Sequence, residues 1–182
     1  MKTAFVTGST GLLGNNLTRT LAERGMRVKA LARSPEKARR QFGVLKNVEI
    51  VPGDLTEIGG FAGALGGSDV LFHTAAFFRD NYKGGNHRRT LAAVNETGTA
   101  RLLDAAHAAG IRRVVHASSI AVLMGRGGRP ADETMLRPEH EADDYYLSKI
   151  RSEKVVLEFL DRHPELTATL VLPGWMHGPG DM

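Results

Sequence analysis

Short runs of β-branched and aliphatic residues recur along the chain, and after most of them the apolar positions change from continuous to a spacing of three and four. The runs cover residues 3–7, 27–32, 48–51, 69–73, 113–117 and 167–172, which predicts six strands. Helical spacing predicts helices over residues 12–24, 35–42, 89–109 and about 143–162, with a weaker, glycine-diluted helix over 56–65. Gly25, Gly43 and Gly110 stand just past the first three of these, where helices commonly stop. Ser34 followed by Pro35 supplies an N-cap and a first-turn proline for the second. Strand and helix in alternation predict an α/β fold, a doubly wound parallel sheet with helices on both faces. Residues 77–87 and the glycine- and arginine-rich stretch 125–130 read as loops. With 182 residues, 42% of them apolar, one sizeable core can be buried, and a single unit over residues 1–182 is expected.

A glycine motif, Thr7-Gly8-Ser9-Thr10-Gly11-Leu12-Leu13-Gly14, falls where the first strand meets the first helix. A turn there needs positive φ, a backbone that can approach phosphate, and a helix packed closely on its strand. The helix start then offers unpaired amides and a positive dipole end to a pyrophosphate. The spacing is G-x-x-G-x-x-G rather than G-x-G-x-x-G, and no Gly-Lys-Ser or Gly-Lys-Thr follows, so a P-loop is excluded. The context is that of a Rossmann dinucleotide-binding domain. About twenty residues on, where an NAD site usually carries a ribose-binding carboxylate, the chain reads Ala30-Leu31-Ala32-Arg33-Ser34. Arg33 stands where a guanidinium would meet a 2′-phosphate, so NADP(H) is expected in preference to NAD(H).

Candidate chemistry lies in the last predicted helix. Tyr145 and Lys149 are four residues apart and share a face. A phenol beside positive charge shifts toward phenolate and becomes a usable acid or base. With three tyrosines and seven lysines in the chain, such a pair arises by chance roughly one time in eight, so it needs company. Ser118-Ser119 supplies it at the end of the fifth strand, the sheet edge where ligands of open α/β sheets collect. Tyr146 has Ile150 four residues on and does not compete.

Charge and composition add exclusions. There is no cysteine, which removes disulfides, thiolate metal sites and cysteine nucleophiles. Net charge is +4, but the basic pairs Arg39-Arg40, Arg88-Arg89 and Arg112-Arg113 are dispersed and set in no nucleic-acid motif, so no nucleic-acid partner is expected. Seven histidines show no H-E-x-x-H or comparable spacing, and no metal is expected. No stretch approaches the ~20 apolar residues of a membrane span, and no signal-peptide core opens the chain. A cytoplasmic protein is expected.

The glycine motif, Asp54-Leu55, His73-Thr74-Ala75-Ala76, Asn95 in Val94-Asn95-Glu96-Thr97-Gly98-Thr99, Ser118-Ser119, Tyr145-x-x-x-Lys149 and Pro173-Gly174 through Gly178-Pro179-Gly180 occur in one order. Together they resemble the extended short-chain dehydrogenase/reductase family, the NAD-dependent epimerase/dehydratase group, and within it dihydroflavonol-4-reductase-like proteins. The resemblance implies that Gly8, Ser9, Thr10, Gly11, Leu12, Leu13 and Gly14 hold the pyrophosphate, that Asp54 and Leu55 contact adenine, and that Ala75 and Ala76 line diphosphate and ribose. It also implies that Lys149 holds the nicotinamide ribose and that Pro173 and Gly174 border the nicotinamide. Ser119 aligns with the catalytic serine and Ser118 is its rival. For Asn95 the resemblance implies that it stabilises its helix or a water near the site, with a purely structural role as the equal alternative.

The implied activity is NADP(H)-dependent hydride transfer to or from a carbonyl or secondary alcohol of a small-molecule substrate. A nucleoside-diphosphate-sugar epimerase or dehydratase would use the same Ser-Tyr-Lys set. A non-catalytic NADP(H) sensor or scaffold would not need Tyr145 and Lys149. Family members are longer, so the chain reads as C-terminally truncated, with most of its substrate region beyond Met182, and is expected to bind cofactor weakly and turn over little. Relatives often dimerise through helices equivalent to residues 89–109 and 143–162, which makes a homodimer an expectation here.

Overall fold

β1 (Thr3–Thr7) is buried along its whole length, and its side chains divide between two cores. In the computed structural model, which describes residues 2–78, 84–125 and 127–179, β1 is a central strand of a six-stranded parallel sheet ordered β3-β2-β1-β4-β5-β6. The other strands are β2 (Arg27–Ala32), β3 (Val48–Pro52), β4 (Val70–His73), β5 (Arg113–Ala117) and β6 (Thr167–Val171). All six predicted strands are present, each within a residue of its expected ends. Strand order reverses between β1 and β4, and a crevice opens beyond the carboxyl ends of strands at such a point.

One face carries α1 (Leu12–Glu23) and α2 (Pro35–Phe42), packed through Leu21 and Ala22 and through Ala38 and Phe42 onto Ala4, Val6, Val28, Ala30 and Ala32. The other is covered by α4 (Gly98–Ala108) and α5 (Asp144–Arg162), whose Leu102, Leu103, Val156 and Phe159 meet Phe5, Leu71 and Val114. Burying side chains of this size contributes about 1.5–3 kcal/mol each. Alternation along the strands therefore places helices on both faces.

Two expected helices differ from the prediction. Residues 56–65 form two 3₁₀ turns, Ile58–Gly60 and Ala62–Leu65, because Gly59, Gly60 and Gly63 dilute the segment while Phe61 and Leu65 are drawn into the core beside Phe5. The predicted helix 89–109 starts as α3 (Arg88–Leu91), passes through a π-helical turn (Ala92–Thr97) and continues as α4. The widened turn lets the Gly98 amide donate to the Ala93 carbonyl and sets the Asn95 side chain inward. Of the predicted loops, residues 79–83 and 126 lie outside the described residues, as does Gly180.

Candidate active site

Around the reversal point the sheet edge borders a cleft of about 710 Å³. Its first wall is the glycine turn. Gly8 has φ +65°, the left-handed region glycine enters without strain, and a Cβ there would stand 2.7 Å from backbone atoms of Ala75. Gly14 sits so close to the turn that a Cβ would lie 2.2 Å from the Gly8 carbonyl oxygen. Gly11 is different, since it has φ −84°, faces solvent and caps α1 with no side-chain hydrogen bond. Gly8 and Gly14 thus serve the turn and the helix–strand contact, and Gly11 leaves the amino end of α1 open to the cleft. A dinucleotide pyrophosphate fits that opening by charge and by shape.

Gly8, Thr10, Gly11, Leu12, Leu13, Gly14, Arg33, Asp54, Leu55, Ala75, Ala76, Ser118, Ser119, Tyr145, Lys149, Pro173 and Gly174 all border this one cleft. Ser9 does not. Its side chain is fully buried and donates to the Leu31 carbonyl at 2.7 Å, so it ties the turn to β2. At the far end Arg33 is exposed and shares the wall with Lys37 from the first turn of α2. Lys37 escaped notice because only the position directly after β2 was expected to read the ribose. Asp54 Oδ1 accepts from both the amide and the hydroxyl of Thr56, each at 2.8 Å, which shapes the turn after β3.

At the opposite end, the Asp143 carboxylate accepts from the Tyr146 amide at 2.7 Å and fixes the start of α5. Tyr145 in the first turn is 8% exposed, its ring 4.9 Å from that of Phe78. Lys149, one turn on, is 2% exposed and donates from Nζ to the Ala117 carbonyl at 2.7 Å, which pins the ammonium to the end of β5. Burial lowers its pKa from 10.5 to about 8, and the nearby Glu153 carboxylate opposes the fall. Ser118 and Ser119 are separated by their partners. The Ser118 hydroxyl donates to Glu153, whereas Ser119 Oγ accepts from the Ala121 amide at 3.1 Å and does not use its own hydrogen in that bond.

Further side chains support the site, among them Asn95, which the sequence points to, and Arg137, which it does not. Arg137, distant in sequence, donates to the carbonyls of Ala121 at 2.9 Å and Leu123 at 3.1 Å, with its guanidinium 4.9 Å from the Tyr146 ring centroid, and so holds the wall that follows Ser119. Asn95 Nδ2 donates to Ser148 Oγ at 2.9 Å, and Asn95 Oδ1 accepts from the Phe77 amide at 2.8 Å, joining the π turn, α5 and the strand-β4 exit. Behind Lys149, His73 Nδ1 meets Thr7 Oγ1 at 2.7 Å and its Nε2 meets Thr99 Oγ1 at 2.9 Å. The His116 ring lies 5.1 Å from that of His73. Burial, then the charge of Lys149, lowers the His73 pKa to about 3, and burial holds His116 well below its ordinary value too. Both imidazoles are therefore neutral at working pH.

Residues 173–176 border the cleft, and Pro179 beyond them meets α1. The Pro173 carbonyl accepts from the Ile120 amide at 3.1 Å, and the Pro179 carbonyl accepts from Asn16 Nδ2 at 3.0 Å. Between these ties Trp175 is 86% exposed and Met176 43%.

The profile of the NAD dependent epimerase/dehydratase family matches residues 4–182. Sterol demethylase protein B of Methylococcus capsulatus is 38% identical over 182 residues, covering 98% of this chain and 53% of that protein. A 3 beta-hydroxysteroid dehydrogenase/Delta 5-->4-isomerase of Mycobacterium tuberculosis is 35% identical over 186 residues, 97% of this chain and 48% of that one. Among solved structures, a short-chain dehydrogenase/reductase superfamily protein from Agrobacterium tumefaciens with bound NAD superposes with a TM-score of 0.76 at 29% identity, covering 93% of this chain and 48% of that chain. The chain thus spans about half the length of the curated relatives it matches.

Proposed function

Because the chain belongs to the NAD-dependent epimerase/dehydratase family, we propose that it binds a nicotinamide dinucleotide along this cleft, NADP(H) in preference to NAD(H), and serves hydride transfer to or from a carbonyl or secondary alcohol. The observation that carries the reading is the meeting of Tyr145, Lys149 and Ser119 on the same cleft as the open amino end of α1. The pyrophosphate is held by the amides at the start of α1, and the adenosine end by Arg33, Lys37, Asp54 and Leu55. The nicotinamide, when bound, supplies or takes the hydride. Ser119 donates its hydrogen to the substrate oxygen, and Tyr145 delivers or removes the proton there. Lys149, fixed by Ala117, supplies the positive charge that makes the phenol a usable acid. Ser118 holds Glu153 instead.

A reductase or dehydrogenase reading is favoured over a nucleotide-sugar epimerase by the side chains around Tyr145. The rings of Phe78 and Tyr146 lie 4.9 and 6.2 Å from that of Tyr145, and Phe77, Ile120, Trp175 and Met176, apolar or aromatic, line the same cleft, while the basic pair Arg33 and Lys37 sits at the adenosine end. An apolar alcohol or ketone suits that wall better than a charged diphosphate. Fluorescence titration with NADPH and NADH tests the cofactor assignment. NADPH should bind about tenfold more tightly, and Arg33→Ala should weaken NADPH while leaving NADH within a factor of two. Equal or tighter NADH binding by the unaltered protein would overturn the preference.

A further inference from the structure

At the other edge of the sheet three metal-ligating side chains meet that no spacing along the chain connects. His107 lies in the last turn of α4, His163 caps the end of α5, and Glu165 follows two residues later, before β6. His107 Nε2 stands 2.6 Å from Glu165 Oε1, His163 Nδ1 stands 3.7 Å from the same oxygen, and all three donor atoms lie within 4.8 Å of one another. The two imidazole rings are 4.2 Å apart, and Phe159 packs against both, at 4.4 Å from His163 and 6.1 Å from His107. The side chains are preset by this packing yet reachable, with 28% of His107 and 26% of His163 exposed. The site is at the amino ends of β5 and β6, away from the cofactor cleft.

We infer that His107, His163 and Glu165 form a binding site for a divalent transition metal of the zinc class. Two imidazoles and one carboxylate are borderline donors, which suit zinc and its neighbours. Calcium and magnesium prefer an all-oxygen shell. Tetrahedral zinc keeps its ligand atoms about 3.3 Å apart, as follows from zinc–ligand bonds of about 2.0–2.1 Å. Small rotations of these partly exposed side chains reach that spacing. Zinc takes the place of the hydrogen shared by His107 Nε2 and Glu165 Oε1: His107 ligates through Nε2 as its Nδ1–H tautomer, or releases that proton to water if it was doubly protonated, while Glu165 and His163 Nδ1 ligate beside it and water fills the remaining position. The carbonyl ends of α4 and α5, the negative poles of both helices, converge here and favour a cation. Bound metal ties α4 to the α5–β6 connection, so it acts on the rigidity of this edge and not on the chemistry of the cleft.

Isothermal titration of the tag-free chain with zinc chloride should find one ion per chain. Glu165→Gln and His107→Ala should each weaken binding at least tenfold, while His140→Ala, at an exposed histidine elsewhere, should not. Zinc should raise the melting temperature of the unaltered protein and leave that of both ligand variants unmoved. Without zinc, every variant should bind NADPH like the parent and Glu165→Gln should also melt like it, which separates lost ligation from lost folding. Cobalt chloride should give visible absorption bands of a low-symmetry site, absent in Glu165→Gln. Binding that survives both ligand substitutions, or no binding by the parent protein, would overturn the assignment.

Discussion

The two ends of the cleft are built by different means. Where β1 meets α1, backbone touches backbone: Gly8 abuts Ala75 and Gly14 abuts Gly8, and the Thr74 hydroxyl adds a side-chain tie by donating to the Thr7 carbonyl at 2.7 Å. Where β5 and α5 meet residues 173–176, side chains form the wall, and those nearest the mouth, Ile120, Trp175 and Met176, are exposed. A site for a pyrophosphate can be made from local chain geometry, since its chemistry is the same in every dinucleotide. A site for a particular substrate needs side chains brought together from several segments, and that end is accordingly looser and more open.

The largest effect should come from forcing a Cβ into the tight end. Gly14→Ala must push α1 from the turn, and overpacking of this kind costs about 1–3 kcal/mol. It should lower the melting temperature by several degrees and reduce NADPH affinity by more than a hundredfold. Gly11→Ala, whose Cβ would meet only the Gly8 oxygen at 3.3 Å, should melt almost normally. Equal damage from both would break the distinction drawn between these glycines.

At the other end, if the proposed function holds, Tyr145→Phe should leave NADPH affinity nearly unchanged and reduce such NADPH oxidation as the parent shows with a carbonyl substrate, small though that is expected to be, by about 10²–10⁴-fold. The same chemistry should fail on the alkaline side. Lys149 loses its proton as pH rises through about 8, so kcat/KM should fall there. Since the Glu153 carboxylate offsets the effect of burial, Glu153→Gln should move that limb to lower pH. An unmoved limb would remove Glu153 from the account.

The buried histidines behind Lys149 set a pH-dependent effect on stability. His73 titrates near 6.5 unfolded and at about 3 folded, so below pH 6.5 the unfolded chain binds more protons. Stability should be fully present above that value and fall by a few kcal/mol as pH drops toward 3. Urea unfolding at pH 7 and pH 5 would show the slope, and His73→Gln should flatten it.

Trp175→Ala should do least to the protein itself: a melting temperature within about 2 °C of the parent and unchanged NADPH affinity, because an exposed side chain contributes little to stability. Its effect should appear only in the KM for apolar substrates. A large loss of stability would mean that the open end is packed as firmly as the glycine turn.

Periodicity along the chain was enough for six strands, the principal helices, the glycine turn and the Tyr145–Lys149 pair, because each depends on residues within a turn or two of one another. The same local reading missed the π turn at Asn95 and the 3₁₀ turns over residues 56–65, where Ser148, Phe77 and the Phe5 core override helical propensity. Resemblance, not periodicity, put Ser119 ahead of Ser118, and the different partners of the two, Glu153 on α5 for Ser118 and the Ala121 amide for Ser119, are encoded by no local pattern. Sheet register decided that His73 and His116 would face each other, for they are paired positions on β4 and β5. Helix packing decided that His107 would meet His163 and Glu165. These are encounters between residues tens of positions apart, and no pattern in one segment encodes them. Their distances are fixed only when burial of the shared core locks strands and helices into one arrangement.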